Sequence, residues 1–288
     1  MLKKIFLCIL GFIFLLSFVS CSVVERIGVK MSGPFLVDAV DKMMTLKSTK
    51  LAKEGLPSNV LLISALVEFA PTDRRMLTIA SQAYTSYALF VEESDPEYAK
   101  ELYTLAKEYG LRALEQSLAF REAKGPSRIL EAVKDVGPKY LKALTWTGVS
   151  WGQLVNLKKA EATALMDMPN VVALIERAQE IDGAYFYGVS HIFFGAYYAS
   201  LPALLGGGPE KAEKEFEIAR EITDGKCLLA DVFYAKFYAT LLKDEVLFEK
   251  TLNHVLDASS DLLPEAVLIN ELAKQKARWL LEHKHEYF

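Results

Sequence analysis

Two stretches of this chain repeat each other at an offset of 40 residues: Ser190 to Leu201 reads SHIFFGAYYASL and Ala230 to Leu241 reads ADVFYAKFYATL. Phe193 matches Phe233, Tyr198 matches Tyr238, Ala199 matches Ala239 and Leu201 matches Leu241, while Tyr197 with Phe237 and Ser200 with Thr240 swap like for like. The segment after each copy carries a shared skeleton spaced by four and then three: Ala212, Phe216 and Ala219 in one, Phe248, Leu252 and Val255 in the other. Ala99, Tyr103 and Ala106 repeat that spacing, as do Val171, Ile175 and Ala178. A single helical hairpin cannot bury its apolar face alone, so a chain built this way must stack hairpin on hairpin.

The rest of the sequence agrees with that constraint. Apolar residues recur at three and four, breaks fall at Pro, Gly or capping residues, and no convincing run alternates in the manner of a strand. Helices are expected over about 35–53, 58–69, 72–93, 96–122, 126–135, 138–156, 169–181, 184–204, 209–223, 226–242, 244–258 and 264–285. Ser58, Thr72, Asp95 before Pro96, Pro138, Pro169, Pro209 and Pro264 suit helix starts. Gly55, Gly125, Gly183, Gly206 to Gly208 and Gly225 suit helix ends.

The paired small and aromatic residues of the first helices are Gly195 with Tyr198, Ala235 with Tyr238, Gly148 with Trp151 and, more weakly, Ser81 with Tyr84. Small residues there let helices approach and the aromatic fills the space between hairpins. The pattern resembles that of tetratricopeptide repeats, although the intervals exceed the usual unit of about 34 residues. The expected fold is therefore all-α, an α-solenoid of antiparallel helix hairpins with about four degenerate repeats plus extra N- and C-terminal helices. A generic helical bundle is the alternative.

Residues 1–20 stand apart. Lys3 and Lys4 precede an apolar run from Ile5 to Leu16, and small residues lead to Cys21. That is the form of a secretory leader, too short for a spanning helix of about 20 apolar residues. It resembles a bacterial lipoprotein signal, in which Cys21 would be lipidated as the first mature residue. Phe18 departs from the usual leucine three places before the cysteine. A plain secreted protein or an uncleaved anchor are the alternatives. Residues 21–34 then read as a tether and 35–288 as the folded domain. Two or more acyl chains at Cys21 would anchor stably where one binds reversibly.

Composition excludes several roles. Without Lys3 and Lys4 the 33 basic residues fall to 31 against 37 acidic ones, a poor balance for binding nucleic acid through a basic face. Of three cysteines only Cys227 would remain unmodified in the mature chain, so no disulfide is available, and its place beside Leu228 and Leu229 suits an inert buried thiol. The four histidines, His191, His254, His283 and His285, show no metal-ligand spacing, and no HExxH, GxSxG or CxxC occurs. Gly206 to Gly208 run into Pro209 with no Gly-Lys-Ser ending, so they suit a hairpin reversal better than a phosphate loop. No enzyme activity, cofactor or metal is expected.

The richest feature is aromatic. Tyr185, Phe186, Tyr187, His191, Phe193, Phe194, Tyr197 and Tyr198 crowd just over three expected turns. Packing by helices on both sides accounts for much of this. Part of the belt, with Trp151 and Lys236 from neighbouring first helices, could instead line a cleft for an apolar or amphipathic ligand, since first helices line the concave surface of such solenoids. The candidate cleft residues are Trp151, Tyr185, Tyr187, His191, Tyr197 and Lys236.

Tyr98 to Leu114, Tyr185 to Tyr198, Gly206 to Ala219 and Leu228 to Ala239, behind the Cys21 signal, together resemble the T component of tripartite ATP-independent periplasmic (TRAP) transporters from about Asp38 onward. The resemblance implies a periplasmic lipoprotein on the inner or outer membrane, a trimer with a pore or cleft through each subunit, and a partnership with the transporter's substrate-binding protein. It carries no catalytic residues onto the chain. A repeat lipoprotein scaffolding envelope assembly, unrelated to transport, is the second reading. If the belt binds ligand, Tyr187→Ala or Lys236→Ala should weaken binding with the helical melting temperature nearly unchanged; a core tyrosine would instead cost about 3 kcal/mol on truncation, readable by denaturation.

Overall fold

A computed structural model describes residues 42–125 and 127–288. The leader, Cys21, the tether and the start of the first expected helix lie outside the described residues. Ten main helices follow: α1 Thr49–Phe69, α2 Arg74–Val91, α3 Pro96–Leu114, α4 Leu141–Leu157, α5 Met168–Asp182, α6 Tyr185–Ser200, α7 Pro209–Ile222, α8 Leu228–Phe233, α9 Glu245–Asp257 and α10 Val267–Glu282. Short turns of helix at Leu118–Glu122 and Arg128–Ala132 fill the connection from α3 to α4. No strand occurs among the described residues, and no helix among them is long and apolar enough to cross a membrane.

The chain is an all-α helical solenoid. Its hairpins are α2–α3, α4–α5, α6–α7 and α8–α9, and each hairpin packs on the next. The repeated skeleton forms the seam of every hairpin: Ala99, Tyr103, Ala106, Val171, Ile175, Ala178, Ala212, Phe216, Ala219, Phe248, Leu252 and Val255 are all at most 2% exposed. Each second helix therefore turns the same three residues into its neighbours. The small residue of the first helix is what admits the bulky middle one. A Cβ on Gly148 would lie 2.5 Å from Cδ1 of Ile175, and one on Gly195 would lie 2.7 Å from the Phe216 ring.

Several expectations need correcting. The helix expected over 96–122 ends at Leu114, with a separate turn at Leu118–Glu122 started by the Ser117 cap. Asp73, not Thr72, caps α2. Two further segments differ. Gly55 and Pro57 do not separate two helices but lie inside α1, which starts directly after a cap at Ser48, whose hydroxyl accepts from the Leu51 N–H. Ser58 is thus interior and caps nothing. An interior Gly and Pro cost about 1 and 3 kcal/mol, but burying Leu56, Val60, Ile63 and Val67 on one face returns about 1.5–3 kcal/mol each. The second case is the segment expected as one helix over 226–242. It is a continuous rod, but α8 widens to a π-helix over Tyr234–Ala239 before a last α-turn at Thr240–Leu242.

The C-terminal helix closes the molecule. Ala273, Ala277 and Leu280 of α10 pack against Leu228, Val232, Phe248 and Leu252 of the last hairpin. Leu268 and Leu272 of the same helix join Leu56, Val60, Tyr87 and Val91 at the N-terminal end. Asn270, fully buried, accepts from the Leu228 N–H at 2.9 Å and donates to the Lys226 carbonyl at 2.9 Å, capping α8 where Cys227 makes no side-chain cap.

The seam predicts a steric coupling. Gly195→Ala should lower the unfolding free energy by about 1–3 kcal/mol in a urea melt, because the added methyl presses on the Phe216 ring. The double change Gly195→Ala with Phe216→Leu should cost less than the two single changes added together.

Candidate functional site

A cavity of about 1350 Å³ opens where the first helices begin. The N-terminal turns of α2, α4 and α6 line it, through Arg74 and Arg75, Lys139 and Lys142, and Tyr185 to Tyr187. Lys42 and Lys226 bring the basic side chains to six, against the carboxylates of Asp224 and Glu265. None of the three helices has an acidic residue in its first turn. Cations at a helix N-terminus oppose the macrodipole, so this arrangement works against stability and favours an anionic occupant. Arg74 is partly held, donating to the Lys139 carbonyl at 2.5 Å and lying 5.0 Å from the Tyr140 ring centroid.

The aromatic wall of the cavity is strained. Phe186 (φ 47°), Tyr187 (φ 60°) and Gly188 (φ 73°) form a left-handed turn at the start of α6. Bulky residues enter that region at a cost of about 1–2 kcal/mol each, and such strain is retained mainly where surrounding contacts fix it. Here Phe186 sits edge-on against Trp146 at 4.6 Å, and Phe186 and Tyr187 pack against Cys227, Leu263, Ala266 and Ile269. Gly188 is needed because a Cβ there would reach 2.9 Å from Cδ1 of Ile222. The belt expected along one right-handed helix is thus split: Tyr185, Phe186 and Tyr187 turn to the cavity, whereas Phe193, Phe194, Tyr197 and Tyr198 follow the regular helix.

The remaining candidate residues lie elsewhere. Trp151 is buried in the core, its indole N–H donates to Asp167 Oδ2 at 2.8 Å, and Lys107 lies 4.6 Å from its ring centroid. His191 Nδ1 lies 2.7 Å from Glu215 Oε2 and 2.9 Å from Gln179 Nε2, tying α6 to both α5 and α7. Tyr197 stacks on Phe193 at 6.0 Å, and burial pushes its hydroxyl up. Lys236 is half-buried within the π-helical segment. The one thiol among the described residues, Cys227, is buried and pushed up to about 11 by desolvation, which disfavours the reactive thiolate at neutral pH. Among the described residues no group of three His, Cys, Asp or Glu could hold a metal ion.

A second polar centre lies inside the solenoid. Glu92, the C-cap of α2, and Glu93 both receive Lys276 of α10, at 2.7 and 2.5 Å, and the Tyr103 hydroxyl donates to Glu92 at 2.6 Å. Burial alone would push Glu92 up, but Lys276, Lys236 and Tyr103 outweigh it and hold Glu92 below its ordinary value. Glu93 is raised, by burial first and then by its neighbour Glu92. Burial works to lower Lys276, yet the two carboxylates leave it above its ordinary value. Lys236, by contrast, is lowered, by burial and then by Lys276.

A profile of the TRAP transporter T-component matches residues 47–288, nearly the whole described chain. This chain belongs to the TRAP transporter T-component family. A curated relative from Treponema pallidum (strain Nichols), described as an uncharacterized protein, is 23% identical over 257 residues, covering 83% of this chain and 80% of its own length. Membership makes the chain an accessory of a TRAP transporter.

Sequence reading missed both polar centres. Glu92 and Lys276 are 184 residues apart, and nothing local pairs them. The available signal was positional: Lys276 stands on the stripe of Leu272, Ala273, Ala277 and Leu280, where an apolar residue belongs. Likewise Arg74, Arg75 and Lys142 stand at helix starts, where acidic residues are favoured.

Lys276→Met should lower the unfolding free energy by about 3–5 kcal/mol, because it strands two buried carboxylates. Adding Glu92→Gln and Glu93→Gln should restore most of that loss in urea titrations. The pH dependence has a defined sign. Glu92 is depressed, so its contribution is present above the unfolded carboxylate value near 4.5 and lost as pH falls through its lower folded value. Glu93, being raised, acts oppositely and gives up stability as pH rises from 4.5 through its folded value. Lys276 contributes fully below 10.5 and loses its contribution only as pH rises past its folded value. Urea midpoints followed into acid should show the Glu92 limb in the wild type and lose it in Glu92→Gln.

Proposed function

We propose that this chain is a non-enzymatic, lipid-anchored periplasmic subunit of a TRAP-type uptake system, held through Cys21 and assembled as a trimer. It docks the transporter's substrate-binding protein at the mouth formed by the starts of α2, α4 and α6, and passes a hydrophobic ligand onward through an aromatic-lined cleft. The observation that carries this reading is the basic, aromatic-walled cavity of about 1350 Å³. Arg74, Arg75, Lys139 and Lys142 at the starts of α2 and α4, with Lys42 beside them, create a positive field that speeds encounter with an acidic partner face, Lys226 being paired with Asp224. The strained Phe186–Gly188 turn fixes the rings beside that field. Family membership supplies the transport context.

Chemical crosslinking in membranes, followed by capture of this chain, should recover a periplasmic substrate-binding protein. The double variant Arg75→Glu with Lys142→Glu should reduce that recovery by about tenfold, since rim charges act mainly on association, while the far-UV melting temperature stays unchanged. Recovery of no substrate-binding protein by the wild type would refute the docking role, and undiminished recovery by the variant would move the docking site away from this mouth.

A further inference from the structure

The π-helical segment Tyr234–Ala239 carries a lysine, Lys236, that no described residue engages by hydrogen bond or ion pair. Such π segments are rare and frequent at functional sites, because widening the helix re-aims its side chains. On its half-exposed face stand Phe233, Lys236 and Phe237. The two rings stack, with centroids 5.9 Å apart at an interplanar angle of 17°, and the Lys236 ammonium lies 5.8 Å from the Phe237 centroid. The matching columns of α6, forty residues earlier, are Phe193, Ala196 and Tyr197, also half-exposed, with their rings 6.0 Å apart at 9°. The two helices pack on one another. Two neighbouring helices thus each offer a stacked ring pair, and the lysine occurs on only one of the two.

Among the described residues Lys236 makes no hydrogen bond and no ion pair within 4.0 Å. The carboxylates in its surroundings, Glu92 and Glu93, already bind Lys276, and Glu92 also accepts from Tyr103. Lys276 and Lys159 add further positive charge around it. A recessed ammonium without a hydrogen bond or direct ion pair is costly, and an acidic group from outside would supply one. The charge count also sets the valence. Lys276, Lys236 and Lys159 set three positive charges around the two carboxylates Glu92 and Glu93, so one further negative charge is balanced; a second on the same headgroup would face Glu92 and Glu93 uncompensated.

We propose that Lys236 and the ring pairs Phe233–Phe237 and Phe193–Tyr197 form a binding site for an amphipathic monoanion. Its single carboxylate sits on the Lys236 ammonium and its apolar body lies along the rings. The assignment rests on the reading of the chain as a ligand-handling subunit, and it narrows the ligand to one acidic group.

Calorimetric titration of the full mature chain with dodecanoate, dodecanol and decylmalonate tests it, at mildly alkaline pH where both malonate carboxyls are ionised. The wild type should bind dodecanoate about tenfold or more tighter than either of the others, a difference of about 1.4 kcal/mol. Lys236→Met should remove that preference while keeping dodecanol binding and the circular-dichroism melt, and Lys236→Arg should retain it. Equal affinity for dodecanoate and dodecanol in the wild type, or a preference that survives Lys236→Met, would overturn the anion site and leave the ligand-passage reading standing. Decylmalonate binding as tightly as dodecanoate would overturn the limit to one charge. Binding of none of the three would overturn both the site and the ligand-passage reading beneath it.

Discussion

Closure by α10 governs the rest of this molecule. A stack of hairpins ends in two open apolar faces, and here one helix covers both, with Ala273 and Ala277 on the last hairpin and Leu268 and Leu272 at the N-terminal end. Crossing that span carries Lys276 into the interior, where an ammonium is tolerated only with strong partners. Glu92 and Glu93 are those partners. They sit at the C-terminal end of α2, itself an unfavourable place for acids, so the ion triad resolves a local conflict on each of the two helices at once.

The same triad decides the environment of Lys236. Because Lys276 occupies both carboxylates, the lysine of the π segment feels them only at longer range. The electrostatics of the solenoid are therefore uneven. Its interior sets two carboxylates against two ammonium groups, of which only Lys276 touches them, while the mouth at the starts of α2, α4 and α6 concentrates cations on a chain that is acidic as a whole. Neither feature aids folding, and the function proposed above gives each a use.

Much of the fold was legible because seam packing is periodic. Twelve positions spaced by four and three were visible in the sequence and all are buried, since a helix cannot present such a stripe to water and remain stacked. The failures have equally local causes. Gly55 and Pro57 read as a break, but tertiary burial of Leu56, Val60, Ile63 and Val67 outweighs the helix propensity that the sequence reports. Tyr185 to Tyr198 read as one belt, but a left-handed turn at Phe186 sends Tyr185, Phe186 and Tyr187 elsewhere, and bulky residues give no local warning of that conformation. Of the candidate cleft residues, Tyr185 and Tyr187 share the large cavity, while Trp151 and His191 engage Asp167 and Glu215.

By itself the sequence determined an all-α stack of hairpins and its seams, because side chains three and four apart share a helix face whatever surrounds them. It also placed the chain in its family. Only the tertiary structure decided where charge meets charge. Lys276 reaches Glu92 across 184 residues, and Arg75 joins Lys142 at one mouth, because the relative placement of whole helices is set by packing between elements and not by the spacing within any one of them.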